Sequence, residues 1–186
     1  MSELLLLFVV SLLANLLSAL AGGGAGLLQL PALLHLGLPF AIALATHKIA
    51  SVALGVGATL RHWQTGQLNL KFSAFILLAG LPGVWLGTQI IVSIPELWAK
   101  LALGILTLAL GLYSIFKPKL GLNPQRIHRD TMGLSIGATV LFVIGILNGS
   151  LTSGTGLFVT LWLVRWFGLD FTRAVSYTLI LVGLFW

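Results

Sequence analysis

Two glycine-rich stretches of the chain have the residue types that could bind an anion without a metal or a cofactor. Glycine permits positive φ angles and lets a ligand approach the backbone closely. A helix that begins directly after such a break presents unpaired N–H groups and the positive end of its dipole, and both favour an anion. The same glycines also suit close packing of helices, and the two interpretations are compatible. The glycines are Gly22, Gly23, Gly24 and Gly26 in the first stretch and Gly154 and Gly156 in the second.

Polar side chains accompany both breaks. Lys48 is the only lysine or arginine placed well inside an apolar stretch, where it either snorkels to the surface or provides the counter-charge for an anion. Its neighbour His47 is a candidate to carry a proton or to hydrogen-bond the substrate, and the alternative is a packed histidine with satisfied nitrogens. Hydroxyls at the second break are either anion donors or caps of the following helix. The remaining candidates are Gln29, Thr46, Asn148, Ser153 and Thr155.

The positions of the carboxylates argue against other chemistries. Glu3, Glu96, Asp130 and Asp170 all fall at the ends of apolar stretches or in loops. A cation pump, a proton relay or an intramembrane aspartyl protease would place carboxylates within the membrane. The chain also has no cysteine, no histidines at metal-ligand spacing and no Walker loop. We therefore expect no enzyme, no metal and no cofactor.

The composition is that of an integral membrane protein, with 58% hydrophobic and 8% charged residues, against about 25% charged in soluble domains. The net charge is +6, and most of the basic residues lie between the apolar stretches. There they act as a topology signal and do not indicate a nucleic-acid partner. The predicted fold class is all-α and polytopic. The first stretch lacks the basic start of a signal peptide and is interpreted as a retained span. The predicted helices cover residues 4–20, 27–36 (half a span), 40–60, 72–92 and 98–116, and another begins at 131.

An internal repeat organises these helices. At an offset of 130 residues, Gly24-Ala25-Gly26-Leu27 aligns with Gly154-Thr155-Gly156-Leu157, and one added residue aligns the G-L-x-F turns at 37–40 and 168–171. We predict a first membrane repeat at 1–117, a basic cytoplasmic linker at 118–130 and a second repeat at 131–186. Each repeat opens with a glycine-broken helix and a half-helix, in parallel or inverted topology. To complete the second copy, we expect roughly sixty further residues in the natural protein, enough for two more spans.

Four stretches of the chain carry recognisable motifs: A-G-G-G-A-G-L-L-Q-L-P-A-L at 21–33, G-L-P at 37–39, A-x-A-T at 43–46 and S-G-T-G-L at 153–157. These motifs resemble those of the sulfite exporter TauE/SafE family. The resemblance implies a multi-pass protein of the bacterial inner (plasma) membrane that exports a small anion such as sulfite, a sulfonate or a related sulfur-containing or organic anion. The expected partners are the lipid bilayer and a small anionic substrate, and a homo-oligomer is a further option.

The resulting hypothesis is a secondary transporter whose anion binds in mid-membrane between the two breaks, close to Lys48. One alternative is an anion channel, which would give flux without saturation. The other is a membrane assembly or interaction subunit without transport, in which the glycines only pack helices. On this hypothesis Gly83 lies outside the site, and we expect Gly83→Ala to be mild.

The first prediction concerns topology. The loops at 61–71 and 117–129 hold six of the ten lysines and arginines, so both should be cytoplasmic, with the turn at 93–96 external. Single cysteines introduced at Gln67, Ser93 and Gln125 into this cysteine-free chain should react with an impermeant thiol reagent from outside only at position 93. External labelling at position 67 or 125 would refute the assignment.

Overall fold

The computed structural model of the chain describes residues 2–63, 68–116, 125 and 127–186, and every regular element in these ranges is a helix. The all-α prediction is confirmed for this part of the chain. Residues 64–67, most of the predicted linker at 118–130 and the domain boundary at 117 lie outside the described residues. The helices are α1 (Ser2–Ala21), α2 (Ala25–His35), α3 (Phe40–Trp63), α4 (Leu70–Ser93), α5 (Glu96–Phe116), α6 (Thr131–Ser150), α7 (Thr155–Arg165) and α8 (Phe171–Tyr177), which continues through a π-helical segment (Thr178–Val182) into α9 (Gly183–Phe185).

Three of these helices are long and apolar enough to cross a membrane: Phe40–Arg61, Leu70–Ser93 and Thr131–Ser150. Large apolar side chains cover their outer faces, and Ile49 and Leu78 are 73% and 75% exposed. Such faces suit a hydrocarbon environment, since soluble proteins rarely expose apolar patches of this extent. The chain is a membrane protein.

Glycines with positive φ angles separate α1 from α2. Gly22, Gly23 and Gly24 have φ angles of 79°, 126° and 95°, which L side chains adopt only with strain. The reversal allows α2 to begin at Ala25, two residues earlier than predicted, and its 11 residues make it about 16 Å long. A left-handed Gly154 likewise precedes α7, which is also 11 residues long. Both are half-helices, too short to cross a bilayer. The two-repeat organisation itself stays a prediction.

Helices α4 and α6 pack backbone against backbone. A Cβ atom on Gly83 would overlap the carbonyl oxygen of Phe142, and one on Gly149 would overlap that of Val84. Close approach of this kind is typical of membrane helices with small residues at their interface. It contradicts the expectation that Gly83→Ala is mild, because the added methyl group would meet a backbone atom that cannot rotate away.

Aromatic contacts hold the end of the linker against the membrane helices. The ring of His128 stacks on that of Trp166 with centroids 4.0 Å apart. The guanidinium of Arg129 lies 4.0 Å from the ring centroid of Phe72, a cation–π distance. The backbone N–H of Gln125 donates to the carbonyl oxygen of Gly168 at 3.0 Å. These contacts join the end of the linker to α4 and to the C-terminal end of α7.

The second prediction compares two glycine-to-alanine substitutions, one at a tightly packed position and one at an open position, to distinguish the effect of packing from that of helix propensity. Gly83→Ala should destabilise the folded protein by about 1–3 kcal/mol, the usual effect of overpacking. Gly57→Ala on α3, where a Cβ atom would have no neighbour within 4 Å, should be neutral or stabilising by up to ~1 kcal/mol because alanine favours the helix. Thermal unfolding in detergent measures both, and equal midpoints for the two variants would contradict the packing argument.

Candidate functional site

The two glycine breaks meet at the centre of the molecule. A Cβ atom on Gly23 would lie 2.6 Å from the carbonyl carbon of Gly156, and one on Gly156 would lie 3.1 Å from the Cα of Gly23. The hydroxyl of Thr160 on α7 donates to the carbonyl oxygen of Gly22 at 2.6 Å, which ties the second half-helix to the first break. The starts of α2 and α7 therefore lie side by side.

Both half-helices begin without a side-chain cap. Their N-cap residues are Gly24 and Gly154, neither of which has a side chain to accept from the first-turn N–H groups, and no acidic residue occupies either first turn. Such a terminus has positive character that water, another chain segment or a ligand has to satisfy. Two such termini side by side form an electropositive region built from backbone.

A cavity of about 270 Å³ lies beside this crossing. Its lining also includes apolar residues from the C-terminal part of the chain, among them Leu179, Val182 and Phe185. Eight of the thirteen site residues proposed from the sequence line the cavity. They are Gly23, Gly24, Gly26, His47, Lys48, Asn148, Thr155 and Gly156.

The side chain of Lys48 points into the protein. Its Nζ donates to Oδ1 of Asn148 and, at 2.7 Å, to the main-chain oxygen of Trp186. The first partner is an uncharged amide, and the second is a main-chain oxygen. The ion pairs among the described residues are Lys100–Glu96 and Arg173–Asp170, so no Asp or Glu side chain within this part of the chain pairs with Lys48. The structure thus places the amino group of Lys48 beside the cavity, held by an amide oxygen and a main-chain oxygen.

A short hydrogen-bond chain holds Asn148 in its orientation. Its Nδ2 donates to the hydroxyl of Thr155 at 2.8 Å, and that hydroxyl donates to the carbonyl oxygen of Thr152, also at 2.8 Å. The hydroxyl of Thr152 in turn donates to the carbonyl oxygen of Asn148 at 2.7 Å. The proton of the Thr155 hydroxyl is therefore already engaged, and the group positions the amide that holds Lys48.

A second chain holds His47, which is 3% exposed. Oε1 of Gln29 lies 2.7 Å from Nδ1 of His47, and Nε2 of the same amide donates to the hydroxyl of Ser11 at 3.0 Å. An amide oxygen only accepts, so Nδ1 of His47 carries a hydrogen. The other nitrogen, Nε2, lies 3.0 Å from the position of a Cβ atom on Gly26. It therefore faces the first turn of α2.

The other five proposed residues lie outside the cavity lining. Gln29 is buried behind His47, and the hydroxyl of Thr46 donates to the carbonyl oxygen of Ile42 at 2.8 Å. Gly22 and Gly154 shape the two breaks. Ser153 is fully buried, and its Oγ has no hydrogen-bond partner among the described residues.

Sequence reasoning missed Thr178, which is buried and lines the cavity. Extending the repeat alignment by a single residue would have identified it, because that alignment places Thr178 opposite His47. A Cβ atom on Gly156 would lie 3.4 Å from Cγ2 of Thr178, as one on Gly26 lies beside His47. Nothing in the sequence indicated the π-helical segment that begins at this residue.

Known proteins match almost the whole chain. Residues 7–185 match the model of a family described as "Sulfite exporter TauE/SafE". A "Probable membrane transporter protein" of Haemophilus influenzae is 37% identical over 174 residues, which are 94% of this chain and 67% of that protein. The "Probable membrane transporter protein ORF9" of Sinorhizobium sp is 31% identical over 92% of this chain and 65% of its own length. The "Probable membrane transporter protein YfcA" of Escherichia coli K12 is 29% identical over 94% and 64%, respectively.

The chain thus spans about two thirds of the length of these curated relatives. No solved structure matches the chain significantly.

The third prediction tests the crossing of the two breaks. Gly23→Ala should abolish folding or anion binding, because the methyl group would meet the backbone of Gly156 in addition to the strain of a positive φ angle. Gly37→Ala is the matched control, since Gly37 also has a positive φ angle, 83°, but a Cβ atom there would have no neighbour within 4 Å. Gly37→Ala should lower the free energy of unfolding by only about 1–2 kcal/mol, the cost of the left-handed backbone conformation. Size-exclusion profiles in detergent, followed by ligand binding, compare the two variants, and equal behaviour would contradict the crossing.

Proposed function

The chain belongs to the sulfite exporter TauE/SafE family of membrane transporters, and we propose that it is a secondary transporter that exports a small anion such as sulfite, a sulfonate or a related organic anion across the bacterial inner membrane. The observation that carries the proposal is the ammonium group of Lys48, which faces the cavity at the crossing of two uncapped half-helices.

The electrostatics of the cavity support an anion as its occupant. One helix terminus stabilises a charge by about 0.3–1 kcal/mol when exposed and by up to about 2 kcal/mol when partly buried. Two termini alone would not offset the desolvation of an anion, which amounts to several kcal/mol. Lys48 adds a positive charge, and no Asp or Glu side chain among the described residues pairs with it; its partners are Asn148 and the main-chain oxygen of Trp186. An anion in the cavity would neutralise this charge, and a cation would be repelled by it.

The size of the cavity supports a small substrate. Pockets for drug-sized ligands measure about 300–1,000 Å³, whereas this one measures about 270 Å³. Sulfite or a short sulfonate fits this volume together with a few water molecules, which would complete its hydrogen bonds.

We also propose that the two breaks belong to two copies of one unit. Half-helices of equal length begin at Ala25 and Thr155, and each follows a glycine in the left-handed conformation. Transporters built from such repeats bind their substrates where the discontinuous helices meet, and rocking of one repeat against the other gives alternating access. The contact of Gly23 with Gly156 is where that site would form in this chain.

The fourth prediction is that Lys48→Ala lowers the affinity for the transported anion by more than tenfold, or about 1.4 kcal/mol, with the protein still folded. Lys48→Arg should recover little, because the planar guanidinium is larger than the ammonium group it replaces. Lys100→Ala is the control, since it removes an equal charge from an exposed ion pair outside the cavity.

The measurement uses the full-length natural protein in liposomes with sulfite, thiosulfate, methanesulfonate and carboxylates as substrates. Wild-type flux should saturate, whereas flux that rises linearly with concentration would indicate a channel. Wild-type affinity and rate in Lys48→Ala would show that the lysine does not contact the substrate.

A further inference from the structure

His47 is a buried titratable group that the proposed anion site does not by itself require. It lines the same cavity as Lys48, its neighbour on α3, and its ring is fixed from behind by the amide of Gln29. Because Nδ1 is committed to Gln29, a proton can be gained or lost only at Nε2. This nitrogen faces the first turn of α2 at Gly26, where an anion would meet the backbone N–H groups.

The surroundings of Nε2 provide a neutral acceptor but no negative charge. The hydroxyl of Ser51 lies 3.4 Å from Nε2 and donates its own proton to the carbonyl oxygen of His47 at 3.0 Å. Its oxygen is thus free to accept from a protonated Nε2. The resulting imidazolium would lie beside the ammonium of Lys48, and two adjacent positive charges at membrane depth require an anion.

Apart from Lys48, no titratable side chain among the described residues shares the cavity with this nitrogen. Residues 5–21 of α1, all of α6 and residues 178–186 contain no titratable side chain. The titratable groups on the other helices packed against α3 are His35 on α2 and Glu96, Lys100 and Tyr113 on α5, and none of these lines the cavity. Glu96 accepts from the backbone N–H of Phe40, seven residues before His47 and about 10 Å away along the helix.

We propose that His47 is the proton-binding residue of the transporter, and that its Nε2 takes up a proton when an anion enters the cavity. This inference rests on the proposed function and adds a proton whose binding is linked to that of the anion. The anion compensates the imidazolium, and the imidazolium strengthens the binding of the anion. By thermodynamic reciprocity each ligand raises the affinity for the other by the same factor.

The proposal predicts the direction in which the affinity for the anion changes with pH. Over the pH range in which His47 is neutral in the free protein, binding of the anion takes up one proton. Its affinity should then fall by up to tenfold for each unit of rising pH. The probe is methanesulfonate, because a sulfonate stays fully ionised between about pH 5.5 and 8, where histidine titrates. Any dependence on pH therefore comes from the protein.

The experiment measures the affinity by calorimetry and the proton uptake with a pH indicator in weakly buffered detergent solution. Wild-type protein should bind methanesulfonate with proton uptake. In His47→Asn the amide can still donate to Gln29 but cannot titrate, so both the proton uptake and the pH dependence of the affinity should disappear. His35→Asn removes an exposed histidine outside the cavity and should keep both.

The outcomes separate the two proposals. If wild-type protein binds methanesulfonate without proton uptake, or if His47→Asn takes up a proton as the wild type does, the coupling is overturned and the anion transporter stands. If the wild-type protein binds neither methanesulfonate nor sulfite at any pH in this range, the proposed function is overturned together with the coupling. The wild-type measurement shows whether anion binding takes up a proton even if His47→Asn does not fold.

Discussion

The contact between the backbones of Gly23 and Gly156 is the constraint on which the rest of the structure depends. Two half-helices can start next to each other only if no side chain separates them. At this point both segments have a glycine, which has no side chain. Two polar groups of the cavity lie against this crossing. Residues of the second break hold Asn148 through Thr155, and Gly26 in the first half-helix faces His47. The glycines therefore define the site by the side chains they lack.

Lys48 illustrates how a membrane protein keeps a charge available. An ammonium group paired with a carboxylate would have little free energy to gain from a substrate. Here its partners are an amide oxygen and a main-chain oxygen, and no Asp or Glu side chain among the described residues pairs with it. The amide is itself fixed by Thr155 at the start of α7, so the position of the cation follows that of the half-helix. The position of Lys48 and the backbone geometry at the start of α7 are thus linked through a single asparagine.

The sequence predicted the features that local chemistry determines. The helix break at Gly22, Gly23 and Gly24 requires positive φ angles, which hardly any other residue adopts, so its place could be read directly. The direction of the Lys48 side chain could not be predicted, since a long flexible side chain can snorkel. Its two partners, Asn148 and the main-chain oxygen of Trp186, are at least a hundred residues away in the sequence. The role of a helical glycine was equally hidden. Gly83 has an ordinary helical backbone, and its importance comes from a carbonyl group on a different helix.

The packing of α4 on α6 also restricts chain length. Gly83 and Gly87 are one turn apart on α4, and both face carbonyl groups of α6. Each residue in a helix advances by about 100°, so one residue inserted between these glycines would turn the second out of the interface and bring a side chain in. The same holds for Gly145 and Gly149 on the facing helix. This helix pair therefore does not tolerate a single-residue insertion or deletion within the interface.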